Sequence, residues 1–189
     1  MTMGEIYSGM AVGRSEVFKL ALEGKARVYA LLNVAIVGVF FGLSNLLGTI
    51  QTASDLPLNG KFALITPLLF SASGIVSMFA ALIALTLIYW AAARAFGGPG
   101  GLGLSFELIG LAAMPFWVLA PMLNYTLRFS SPGTERIILL CLIVPSFFWS
   151  FKIMRKSLTS GQGISEVKAT IAIAAMWIFS VSSIYVFIP

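Results

Sequence analysis

The stretch RAFGGPGGLGLSFELIGLAAMPF, Arg94 to Phe116, sets five glycines and a proline within residues 97–103, between two strongly apolar segments. Its reading decides the fold, because a glycine loop that cradles phosphate follows a β-strand in a soluble α/β unit, whereas a hinge does not. The nearest match to a phosphate loop is Gly98-x-x-x-x-Gly103 followed by Leu104 and Ser105. The glycine spacing is right, but Leu104 stands where the chemistry requires lysine. The preceding residues, FAALIALTLIYWAAARAF, are those of a lipid-spanning helix and not of a strand. The loop formed by Gly97, Gly98, Pro99, Gly100, Gly101 and Gly103 is therefore read as a tight hinge.

Composition points the same way. The 189 residues are 59% hydrophobic and only 10% charged, against about a quarter charged in soluble domains. Mean hydropathy is +0.97. A surface so poor in charge belongs in a bilayer. The chain has no histidine, which removes the commonest general base and transition-metal ligand. Its single cysteine, Cys141, sits in an apolar run and is expected to be an inert packing residue. No pair of intramembrane carboxylates, no serine beside a histidine and no metal-ligand cluster can be assembled, so a non-enzymatic protein without cofactors or metals is expected. A nucleic-acid partner is not.

A spanning helix needs about 20 mostly apolar residues. Four charge-free runs meet that length, at 28–54, 62–93, 108–127 and 169–189; a fifth, 137–151, is flanked by Arg136 and Lys152 and contains Pro145, so a re-entrant segment competes with a span there. Thr66 and Pro67 suit the cap and first position of the second helix. The expected fold is an all-α membrane bundle with spans near 28–52, 66–93, 106–127, 136–154 and 167–188. With the N-terminus in the cytoplasm, nine of the 12 basic residues fall inside and Lys61, Arg128 and Arg136 outside, the bias cytoplasmic loops show. The C-terminus is then outside, and the first span acts as an uncleaved anchor. Residues 1–26 are expected to form a mobile tail, Thr2 to Gly13, and an interfacial amphipathic helix capped by Ser15, in which Lys19 and Glu23 are spaced to pair; residues 27–189 form the membrane domain.

Glu107 is the acidic residue that approaches a span. Placed in the first turn of the third helix, after a Ser105 cap, it would meet the positive helix end, while Arg94 would meet the negative end of the second helix. The alternative is a gate in which Glu107 and Arg94 face each other across the glycine loop. Asn33, Asn45 and Asn124 are amides within spans and need partners on other helices. Gly38 and Gly42 make a G-x-x-x-G pair, and Ser73, Ser77 and Ala81 a small-residue stripe at the same spacing. Pro115 and Pro121 are expected to kink the third span.

A glycine pair after a long second span, then Ser105 and Phe106, then an apolar helix with Pro115, resembles the Yip domain family, named for Ypt-interacting proteins. So does FWSFKIMRKSLTSGQGISEVKATIAI, where an aromatic fourth span leaves into a basic glycine-containing loop and Ser165, Lys168 and Ala169 open the last helix. The resemblance implies five spans from about Ala26 onward. Eukaryotic members are implied in small-GTPase binding and carry a long acidic N-terminal region, which is lacking here, so GTPase binding is not assumed. The compact form looks like the bacterial or archaeal members, which implies a prokaryotic inner membrane. The leading expectation is a Yip-like scaffold or accessory subunit, with the bilayer and membrane proteins or a second copy as partners. The alternative is a small channel or transporter with a broken third span.

Overall fold

The polar opening Thr2-x-x-Glu5 is a capping box, and in the computed structural model it starts a helix. The Thr2 hydroxyl accepts from the Glu5 amide at 3.3 Å and the Glu5 carboxylate accepts from the Thr2 amide at 2.7 Å. The structure describes residues 1–53 and 56–187, with side chains through residue 178. Among these there are eight helices and no strand: α1 (Met3–Val12), α2 (Ser15–Leu22), α3 (Arg27–Thr52), α4 (Phe62–Ala95), α5 (Leu102–Ala112), α6 (Phe116–Arg128), α7 (Thr134–Gln162) and α8 (Glu166–Phe187).

The expected mobile tail is thus α1, a correction that follows from its cap and its buried face. Ile6, Gly9 and Met10 are buried, and a Cβ on Gly9 would collide with the Val17 side chain of α2. Gly13 ends α1 in the left-handed conformation, with its amide on Gly9 O. Ser15 does not cap α2: Arg14 holds the cap position without a side-chain bond, and the Ser15 hydroxyl accepts from Ser160 Oγ at 3.2 Å. Glu23 pairs with Lys25 at 2.9 Å and not with Lys19. The apolar side of α2 is packed against α5, with Val17 and Phe18 fully buried. Each such side chain contributes about 1.5–3 kcal/mol on burial.

Two compact units make up the chain. One contains Met1–Ala30, Leu82–Ala112 and Phe151–Pro189, the other Leu31–Ala81 and Ala113–Ser150. Helices α3, α4 and α7 contribute residues to both.

These same three helices are long and apolar enough to cross a membrane. At 1.5 Å per residue, their 26, 34 and 29 residues extend about 39, 51 and 44 Å, against a hydrocarbon core of about 30 Å. α4 begins at Phe62, earlier than expected, and carries Pro67 inside it. The Thr66 hydroxyl does not cap; it donates back to Pro57 O at 2.7 Å. α7 runs unbroken past Pro145 and both flanking cations, so the fourth segment has spanning length.

The expected third span, 106–127, is two helices. α5 and α6 are bent by 77° at the break after Ala112. Pro115 has no amide to continue the ladder, and Phe116 and Trp117 instead donate three residues back, to Ala113 O and Met114 O at 2.9 and 3.1 Å. Pro121 sits inside α6. Counting the bent pair as one span gives four among the described residues. The expected last span falls on α8, whose side chains are described only to residue 178 and whose expected final residue, 188, lies outside the described residues.

Candidate functional site

The glycine loop ends α4 and enters α5. Gly97 has φ 90, which side chains rarely adopt, and the Gly98 amide returns to Ala93 O at 2.8 Å to close the helix end. The loop is then held by a residue that sequence reasoning missed. Gln162, at the last position of α7 and 2% exposed, accepts from the Gly100 amide at 3.0 Å and donates to Ser105 Oγ at 3.1 Å. A Cβ on Gly100 would collide with the Gln162 amide oxygen and stand 2.7 Å from its nitrogen. The glycine at 100 therefore serves contact with a side chain. A glutamine between two glycines, Gly161-Gln162-Gly163, was the available sequence signal. Ser105, expected to be a helix cap, lies inside α5, and its buried hydroxyl is occupied by this clasp.

Beside the loop lies a cavity of about 380 Å³ lined by Arg27, Ile83, Thr86, Leu87, Leu102, Gly103, Phe106 and Glu107. Because α5 starts at Leu102, Glu107 stands beyond the first turn, which contains no acidic residue. That corrects the expected helix-end placement. Its Oε2 is buried with no hydrogen-bond partner. The cation whose field reaches it is Arg27, from the opening of α3. Arg94 is in the last turn of α4 and exposed. Among the described residues the ion pair within 4 Å is Lys25–Glu23, so neither Arg94 nor Arg27 closes a salt bridge with Glu107. An orphaned buried oxygen of this kind costs about 1–3 kcal/mol or more.

The other unit brings the span asparagines to partners. Trp117 Nε1 donates to Asn33 Oδ1 at 2.6 Å, and Asn124 Nδ2 donates to Asn45 Oδ1 at 2.9 Å and Ser44 Oγ at 3.1 Å. Gly38 and Gly42 meet the backbone of α4. A Cβ on Gly38 would stand 2.5 Å from Ile75 Cα, and one on Gly42 would collide with the Phe70 carbonyl. Gly74 faces both of them. Ser73 and Ser77 line a separate cavity of about 500 Å³ with Asn45, Thr49 and Arg128. Cys141 is exposed and not packed. No group of histidine, cysteine and carboxylate side chains able to hold a metal occurs among the described residues.

Comparison with curated proteins and with solved structures gave no match. Comparison with protein families matched the Yip1 domain over residues 14–188, from the residue before α2 to the end of α8. The match takes in the hinge, the Gln162 clasp, the Arg27 and Glu107 cavity and the glycine crossing. The chain belongs to the Yip1 domain family of membrane proteins.

Proposed function

We propose that this protein is a non-enzymatic, five-span integral membrane protein of a prokaryotic inner membrane, N-terminus inside and C-terminus outside, acting as a scaffold or accessory subunit through helix packing. The observation that carries this reading is the surface of α4. Only 11% of its most apolar window is buried within the chain, against 44% for α3. Leu64, Leu68, Leu69 and Val76 are 64–75% exposed. In water such a face would aggregate, so it requires lipid or another membrane helix. Family membership supports the membrane placement. Purification from the native membrane in mild detergent tests the reading. A defined set of co-migrating partners, lost when Leu68 and Val76 are replaced by bulky tryptophan, is the expected outcome; a homogeneous monomer unaffected by both changes contradicts it.

A second reading, a small channel or transporter, draws on the 77° break between α5 and α6 and the cavity charges. Ion flux in liposomes that tracks Glu107 would favour it. Flux indifferent to Glu107→Gln would remove its support.

A further inference from the structure

The cavity beside the hinge is chemically divided. Arg27 brings a permanent positive charge, Glu107 a carboxyl oxygen that lacks a partner, and the two do not form an ion pair with each other. Gly103 and Glu107 are four residues apart, on one face of α5. The amides that precede the helical ladder lie at the Gly103 end, since the ladder opens with Ser105 N–H on Gly101 O at 3.1 Å. An arginine beside the start of a helix attracts a phosphate. A carboxylate oxygen one turn further on is an acceptor that a donor, such as an ammonium N–H, satisfies.

A simple anion placed here would be repelled by Glu107, and a simple cation by Arg27. A ligand that carries both charges, separated by a short linker, satisfies both. Apart from Thr86, whose hydroxyl is taken up by Leu82 O at 2.7 Å, the remaining side-chain walls are apolar, and Ile83, Leu87 and Leu102 are 45–58% exposed beside Phe106. They suit an attached hydrocarbon chain. We propose that this cavity holds the headgroup of a phospholipid bearing a phosphate and a primary ammonium, with Arg27 and the first amides of α5 on the phosphate and Glu107 on the ammonium. The hydrocarbon follows Ile83 and Leu87 along α4. A trimethylated headgroup has no N–H to give Glu107 and is bulkier, so it is discriminated against. The site depends on membrane placement and not on the scaffold reading; partner capture and lipid selectivity succeed or fail separately.

The test uses the purified full chain in mild detergent, with native mass spectrometry and thermal shift as readouts. The probes are dioleoyl phosphatidylethanolamine, its N-methyl and N,N-dimethyl forms, phosphatidylcholine, phosphatidylglycerol, and soluble ethanolamine phosphate. The primary-amine lipid is expected to bind about tenfold more tightly than phosphatidylcholine or phosphatidylglycerol, the scale of one hydrogen bond to a charged group. Affinity should fall stepwise along the methylation series. Glu107→Gln should erase the preference over phosphatidylcholine while Arg27→Gln weakens every phospholipid. Equal affinity across the methylation series overturns the proposal without any variant having to fold. So does a preference that survives in folded Glu107→Gln, and so does soluble ethanolamine phosphate binding as tightly as the lipid.

Discussion

The two units of this chain are packed by different means. In the unit containing α1, α2 and α5, bulky side chains fill the interior: of the twelve largest side chains that are almost wholly buried among the described residues, ten belong to it, and Leu119 and Asn33 are the two that do not. In the other unit, α3 and α4 meet backbone to backbone at Gly38, Gly42 and Gly74, and amides tie α3 to α6. The first is how an interior is built where burial of apolar surface drives association. The second suits a lipid setting, where that drive is absent between helices and close approach with interhelical hydrogen bonds must replace it.

The comparison breaks first at Tyr89. Its ring is fully buried and its hydroxyl shares a 2.8 Å hydrogen bond with Ser157. Tyr89→Ala should cost about 3–5 kcal/mol, as large-to-small changes in a filled interior do, whereas Tyr89→Phe should cost about 0.5–1.5 kcal/mol. Denaturation in detergent would read both. Equal losses would mean that the ring is not held by packing. Next in size is Gly42→Val, an overpacking change expected to cost about 1–3 kcal/mol. A disulfide-scanning assay between α3 and α4 should show the crossing displaced, while the surroundings of Tyr89 are unchanged. If Gly42→Val is tolerated, the glycine crossing is not what joins these helices.

Asn124→Ala sharpens the contrast further. It leaves Asn45 and Ser44 without their donor and is expected to cost about 0.6–2 kcal/mol, the range for hydrogen bonds between membrane helices. An apolar unit held by burial alone would register nothing. The smallest effect concerns α1. The hydrogen bonds from the Thr2 backbone and side chain hold the Glu5 carboxyl below its ordinary range. A lowered acid stabilises the fold above its unfolded pKa and loses that contribution as pH falls through the folded value. Hydrogen exchange should show α1 opening on acidification in the wild-type chain and no such dependence in Glu5→Gln. Identical acid profiles would remove the role given to the capping box.

Much of the fold was legible because lipid imposes simple rules. Charge-free runs longer than about 20 residues mark α3 and α4, and side-chain amides within spans, as at Asn33, Asn45 and Asn124, call for partners on other helices. What failed was local. The Thr2-x-x-Glu5 box was present in the sequence, yet its position at a polar start favoured reading a tail. Thr66-Pro67 and Ser105 looked like helix starts, but a hydroxyl caps only when no other acceptor or donor claims it, and Pro57 O and Gln162 do. Glu107 is expected at a helix end, with Arg94 across the loop as the alternative partner, because the two are near in sequence. Arg27, eighty residues earlier, lines the same cavity as Glu107, and only tertiary structure can say so. For the same reason spacing does not disclose that Gly74 faces Gly38 and Gly42. The rotation of one helix against another is not written in spacing alone.

The central claim is that the apolar face of α4 meets another membrane protein. Photocrosslinking in the native membrane tests it most directly, with a photoreactive residue at Leu68 or Val76, exposed at 67% and 70%, and a control at Val34, exposed at 3%. The account predicts discrete protein adducts from positions 68 and 76 and none from position 34. Adducts to lipid alone at both exposed positions, together with flux that depends on Glu107, would contradict it.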